Sequence, residues 1–274
     1  MTLETDLVDP TLTDTRAPVS PAPRPAVLNG ARLALLANGK THGDALLEFI
    51  ADLLTERYGA GPRVRITKQH PSEPPSAEEF ELLRGCDVAL SAIGDCGSCS
   101  SCTVVDGINL EQAGIPTAVL ITAPFRATTT AIAALNGAPW FEPVFVPHPV
   151  TSLDRAGLRE RAEEAFDAVV AALLGSTRPG AETGPAPTAA TLTAEAVENA
   201  LADYRAGLQT DGADLRAESI EDGNVTLRLT LADTTCGDCI MPAPILASVA
   251  TKVLQERFGS HVAAVVVDGR DDRR

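Results

Sequence analysis

The sequence predicts an α/β domain built on a parallel sheet, followed by a smaller α+β domain. Three observations carry this. Between about residue 28 and residue 174, short apolar runs alternate with segments of helical periodicity. From about residue 192 to 268 the order reads helix, strand, strand, helix, strand. Between the two lies "LGSTRPGAETGPAPTAATLT", a Pro/Gly/Thr-rich stretch of linker composition, assigned to residues 175–191.

Residues 1–27 hold five prolines with many Thr and acids and little periodicity, and read as a disordered tail. "RLALLAN" is the first strand, and Leu46, Leu47, Ile50, Leu53 and Leu54 recur behind it at helical spacing. "RVRIT", "CDVALSAI", "PTAVLIT" and "PVFVP" are further strands. The segment "VVDGINLEQAG" has a helical pattern that stops at Gly114 before Pro116. A long helix near Leu153–Leu174 carries Leu158, Ala162, Phe166, Val169 and Leu173 on one stripe. Strands alternating with helices imply a parallel sheet covered on both faces, of Rossmann-like or flavodoxin-like kind, with its site outside the carboxyl ends of the strands. In the second domain, Leu201–Leu208 closes the first helix, and "VTLRLTL" alternates after the turn "EDGN". A helix starting near Pro244 ends at Phe258-Gly259, and "VAAVVV" is the last strand.

The net charge is −15, with three Lys among 274 residues and no basic cluster. That argues against nucleic acid or an anionic membrane surface as partner. No apolar run is long enough to span a bilayer, and "MTLETDLVDP" has no apolar signal region, so a cytoplasmic protein is expected. There, close cysteine pairs read as redox, metal or catalytic groups.

"IGDCGSCSSCTVVDGI" packs Cys96, Cys99 and Cys102 into seven residues. Cys96 falls just past a central strand and at a helix start, where the macrodipole and unpaired N–H groups favour a thiolate. Two thiols at this spacing allow one to attack and the other to resolve. The same spacing supplies three corners of an iron–sulfur cluster, although no fourth cysteine follows nearby. Lys40, at the end of the first strand, belongs to the same rim and could hold a substrate carboxylate or lower a thiol pKa. Asp106 follows Cys99 by seven and Cys102 by four on the same helical face, and is either a proton shuttle or an ordinary first-turn acid. Asp95 precedes Cys96 and shapes the turn or takes part in the chemistry. His148 and His42 lie on the rim as possible bases or ligands, whereas His70 and His261 read as surface. Cys86 reads as part of a strand. Cys236 and Cys239, in "TTCGDCIMP", offer two metal ligands or a dithiol, and a symmetric dimer would supply the four thiolates that a cluster needs.

"NGK", "AIGDCGSC" and "VVDGINLEQAGIPTAVLIT", with "VPHPV", resemble the UGSC-motif family over roughly residues 31–150. The resemblance implies that Cys96 takes the position of that family's selenocysteine or cysteine, and Cys99 that of its partner. Cys102 departs from the pattern, which leaves room for a third relay thiol or a ligand. The second domain resembles the NifU-type C-terminal domain, in "GLQTDGADL", "VTLRLTL" and "TTCGDCIMPAPIL" and in the closing strand. It has Gly212-Ala213 where that family usually shows two glycines. This second resemblance implies that Cys236 and Cys239 ligate an iron–sulfur cluster, probed as a cluster shared by a homodimer, or carry a persulfide. The combined expectation is a cysteine-dependent redox or sulfur-transfer protein acting on a small-molecule, thiol or persulfide substrate. A cysteine desulfurase or an iron–sulfur client is the expected protein partner. The alternative expectation is an iron–sulfur assembly scaffold whose first domain only binds a client.

Overall fold

A computed structural model describes residues 17–71, 73–175, 192–233, 235 and 237–269. The first domain runs β1 (Leu33–Ala37), α1 (Gly43–Tyr58), β2 (Arg63–Thr67), α2 (Ala77–Arg84), β3 (Val88–Gly94), α3 (Gly97–Gln112) and β4 (Thr117–Thr122). A 3-10 turn at Ala123–Phe125 then leads into α4 (Arg126–Leu135), β5 (Val144–Val146) and α5 (Arg155–Leu174). Its five strands are all parallel in the order β2-β1-β3-β4-β5, the flavodoxin-type winding. Strands β1, β3 and β4 are buried at every residue, which is why each reads as an unbroken apolar run. Helices α1 and α5 close one face of the sheet over Leu46, Ile50, Phe166 and Val169. On the other face Leu83 of α2 and Leu110 of α3 pack on Ala34 and Leu36.

The helix starts are set by side chains. Ser76 and Glu79 form a reciprocal capping box on α2, and Asp154 accepts the Gly157 N–H at the start of α5.

The second domain runs α6 (Ala194–Ala200), α7 (Ala202–Thr210), β6 (Ala213–Glu221) and β7 (Asn224–Leu231). A short 3-10 turn at Gly237–Cys239, α8 (Ala243–Phe258) and β8 (Ala264–Asp268) complete it. The helix expected to close over Leu201–Leu208 is two helices that break at Leu201. β6 and β7 are antiparallel as expected, but β8 joins β7 in parallel.

The two domains share one core. Cys96, Cys99, Val104, Phe125 and Ile132 of the first pack in a single cluster with Tyr204, Leu208, Met241, Leu246 and Val249 of the second. The domains pack closely at Gly207 of α7, where a Cβ would stand 2.7 Å from the Pro124 carbonyl oxygen. The two domains are therefore a docked pair. The linker assigned to 175–191 lies outside the described residues except for Gly175.

The tail assignment is corrected in part: residues 1–16 lie outside the described residues, but residues 17–27 form a strap along the first domain. Val19 and Ala22 are buried, and Trp140 Nε1 donates to Val19 O at 2.6 Å. The strap meets Glu111, a buried carboxylate on α3. Arg24 Nη1 stands 2.6 Å from Glu111 Oε1, Ala22 N–H donates to Oε2 at 2.8 Å, and Thr117 N–H donates to Oε1 at 2.8 Å.

Candidate functional site

The sheet order reverses between β1 and β3, so the loops leaving these neighbouring strands open a crevice at their carboxyl ends. The loop after β1 supplies Asn38, Gly39 and Lys40, and the loop after β3 supplies Asp95 and Cys96. Asn38 ties the two together. Its Nδ2 donates to Ile93 O at 2.8 Å and to Thr103 Oγ1 at 2.9 Å, and its Oδ1 accepts the Lys40 N–H at 3.2 Å. Gly39 has φ of 81°, and a Cβ there would fall 2.6 Å from the Lys68 carbonyl oxygen.

Cys96 is the N-cap of α3. Its backbone is extended and its Sγ accepts the Cys99 N–H at 3.4 Å. Both thiols are buried, Cys96 at 5% exposure and Cys99 at 2%, and Cys102 is half-buried. The second domain covers the α3 N-terminus. Asp211 Oδ2 accepts the Gly97 N–H at 2.7 Å. A Cβ on Gly97 would stand 3.6 Å from the Cys239 carbonyl oxygen and 3.9 Å from Met241 Cε. Ser101 Oγ donates to Gly97 O at 2.9 Å and lies 3.0 Å from Met241 Sδ. A Cβ on Gly97 would also come within 3.3 Å of Asp211 Oδ2, a tight contact.

The electrostatics place the thiolate one turn later than the sequence predicts. Pairing with Cys99, reinforced by burial, pushes the Cys96 thiol far up and keeps it protonated; its bond from the Cys99 N–H pulls the other way without prevailing. The Cys96 thiol lowers the pKa of Cys99, and Lys40 lowers it further, against burial. Burial opposes the Lys40 charge, but Cys99, Cys96 and Cys239 together raise its pKa above the ordinary value. Cys239, half-buried in the second domain, is close enough to act on both Cys99 and Lys40. Cys236 lies outside the described residues.

Asp106 is neither a first-turn acid nor exposed. It sits mid-helix on α3, buried, with its Oδ2 2.5 Å from the equally buried Lys68 Nζ at the end of β2. Burial raises the Asp106 carboxyl to about 6, although Lys68 pulls it down. Burial also raises the Cys102 thiol, and Lys68 moderates the rise. Asp211 is raised to about 6 by burial, against the Gly97 N–H.

Asp95 organises the rim. It accepts the Val150 and Thr151 N–H groups, and Thr151 Oγ1 donates to it at 2.7 Å. His148 Nδ1 stands 2.9 Å from Asp95 Oδ1 and 3.1 Å from Thr122 Oγ1, which itself donates to Gly94 O. These partners assign the proton to Nδ1 and leave Nε2 as the basic nitrogen. His42 caps α1 at φ of 70° without a side-chain bond to it, and His70 and His261 are exposed as expected. Cys86 precedes β3 instead of lying in it, packs in the α2-side core, and has its pKa raised by burial.

Lys68 and Asp211 were not found from the sequence. Lys68 ends a strand on the same rim as Lys40, a placement that could have flagged it. Asp211, in "TDGAD", carries no local signal of a partner 114 residues away.

Among the described residues, no group of three or more His, Cys, Asp or Glu is arranged to hold a metal ion. No helix among them is long and apolar enough to cross a membrane. No curated protein matches the chain. The model of the UGSC family matches residues 6–175 of the 274, with Asn38, Lys40, Cys96 and Cys99 inside the match. With more than half of its length under that match, the chain belongs to the UGSC family.

Proposed function

We infer that this is a cysteine-dependent redox or sulfur-transfer protein whose reactive group is the Cys99 thiolate. One observation carries the reading: thiols from both halves, Cys96, Cys99 and Cys239, converge on one cation, Lys40. A cation or a helix N-terminus favours a thiolate near neutral pH; Cys99 lies in the first turn of α3 and feels the Lys40 charge from the loop after β1. Cys96 serves as cap and proton donor to the Cys99 sulfur. Asp95 and His148 supply a proton acceptor on the same rim, and Lys68–Asp106 supply buried charge beside Cys102. A small thiol, disulfide or persulfide compound is the substrate class that fits an acidic chain with a single-lysine thiol chamber.

The second domain runs two helices, a hairpin, a 3-10 turn that carries Cys239, a helix and a strand, and its likeness to the NifU type rests on the sequence resemblance alone. We read it as a persulfide or electron carrier for the first domain. The alternative, an iron–sulfur scaffold, would use Cys236 and Cys239 with the pair of a second copy, and would bring a cluster's electron transfer. The docked placement of Cys239 against Gly97 faces its own first domain, which favours the carrier reading. The test is the alkylation rate of each thiol in the reduced full chain, resolved by peptide mass spectrometry. Cys99 is expected to react fastest and Cys86 slowly. A flat profile across the cysteines sinks the reading. Brown colour after anaerobic treatment of the full chain with iron and sulfide, lost in Cys239→Ser, would favour the scaffold.

A further inference from the structure

The docked arrangement sets a problem for any substrate. Cys99 is 2% exposed, so it is shielded from bulk solvent while the second domain is in place. The polar contacts of the cover include the Asp211–Gly97 bond and the Ser101–Met241 approach. The same cover carries a thiol, Cys239, whose carbonyl oxygen lies within 3.6 Å of the Gly97 Cβ position, two residues before Cys99. The cover therefore brings in a new sulfur as it closes the old entrance.

We propose that Cys239 is the resolving thiol for Cys99, and that docking of the second domain converts a substrate adduct on Cys99 into an interdomain Cys99–Cys239 disulfide. This rests on the reading of Cys99 as the reactive thiolate. The substrate class is a small disulfide, R–S–S–R. The Cys99 thiolate attacks one sulfur, the S–S bond breaks, and one RS⁻ leaves and is protonated from water. Cys99 then carries the mixed disulfide. On docking, Cys239 gives up its proton and attacks the Cys99 sulfur, and the second RS⁻ leaves. One disulfide has been reduced to two thiols, and two protein thiols have been oxidised to one disulfide. A dithiol reductant reverses this and resets the chain.

Cys96 is the obvious competitor, and the geometry disfavours it. Its sulfur is the α3 cap, accepting the Cys99 N–H at 3.4 Å. A disulfide to Cys96 would alter that cap, whereas a disulfide between Cys99 and Cys239 leaves the Cys96 sulfur in place at the helix start.

The probe is 2-hydroxyethyl disulfide added to the reduced full chain, with an acid quench and peptide mapping without reduction. In the wild type the tryptic peptide of Cys86, Cys96, Cys99 and Cys102 should become linked to that of Cys236 and Cys239. Fragment ions should place the bond between Cys99 and Cys239. Cys239→Ser should accumulate the hydroxyethylthio adduct on Cys99, clearing it about tenfold more slowly. Rapid clearance in Cys239→Ser through a Cys96–Cys99 bond, or a wild-type link through Cys236, overturns the proposal and leaves Cys99 as the reactive thiol. If the probe modifies no cysteine faster than Cys86, the reading of the site itself fails.

Discussion

Lys40 and Lys68 end adjacent strands of one sheet and do different work. Lys40 is half-buried among thiols, and its charge adds to the hydrogen bond from Cys96 in lowering the Cys99 pKa. Lys40→Met should therefore raise the midpoint of the pH-dependent alkylation of Cys99 and slow its reaction near neutral pH several-fold. In the wild type that midpoint should lie below the free-thiol value of roughly 8.5, and a midpoint at or above it would contradict the Lys40–Cys99 pairing. Lys68 is buried against Asp106, so Lys68→Met strands a carboxylate in the core. Chemical denaturation should show a loss of about 3–5 kcal/mol, largely recovered in Lys68→Met/Asp106→Leu. The Cys-x-x-Cys spacing and the lysine after β1 were legible in the sequence because each is a local pattern. Which sulfur takes the charge was not, because that depends on how Lys40 and the Cys96 thiol reach Cys99 across a folded crevice.

The N-terminus of α3 is where the two domains meet, and Asp211 is the latch. Its carboxyl rises from 3.8 to about 6 when docked. The docked state therefore holds the proton more tightly than the open or unfolded one. The resulting stabilisation is complete below pH 3.8 and is lost as pH rises through 6. Asp106, also raised to about 6, contributes in the same direction. Asp211→Asn keeps an acceptor for the Gly97 N–H and removes the titration. The difference in thermal midpoint between wild type and Asp211→Asn should thus change across pH 4–6.5 and level off above it, as thermal melts in a pH series will show; a difference constant with pH would assign Asp211 no latch role. The elements themselves were largely legible. Fully buried parallel strands such as "VALSAIG" are continuous apolar runs, and α5 carries its stripe at helical spacing. The break at Leu201 and the parallel pairing of β8 were not, since neither local periodicity nor turn chemistry specifies which neighbour a strand takes.

At the scale of the whole molecule, docking rests on a helix face with a glycine at its centre. Gly207→Val would drive side-chain atoms into the Pro124 carbonyl and Phe125. It should separate the domains and raise the alkylation rates of Cys96 and Cys99 together, with a larger radius of gyration by small-angle scattering; unchanged rates would mean the cover is not what shields the thiols. This association was hidden in the sequence because a Pro/Gly/Thr-rich stretch reads as separation, and because Gly207 looks like any weak point in a helix. The strap of residues 17–27 was hidden for the same reason: its composition is that of a tail. Glu111 gives that strap a consequence for anyone who shortens the protein. A chain begun at residue 28, the boundary that composition suggests, would take away Arg24 and the Ala22 N–H and leave Glu111 with the Thr117 N–H alone among the three partners described. An enclosed negative charge would then face the sheet at the back of the thiol helix, at a cost of about 3–5 kcal/mol. Trimming for solubility or crystals should therefore stop at or before residue 17, and a version cut at 28 should melt early or go insoluble, while Glu111→Gln in that shortened chain should win back part of the loss.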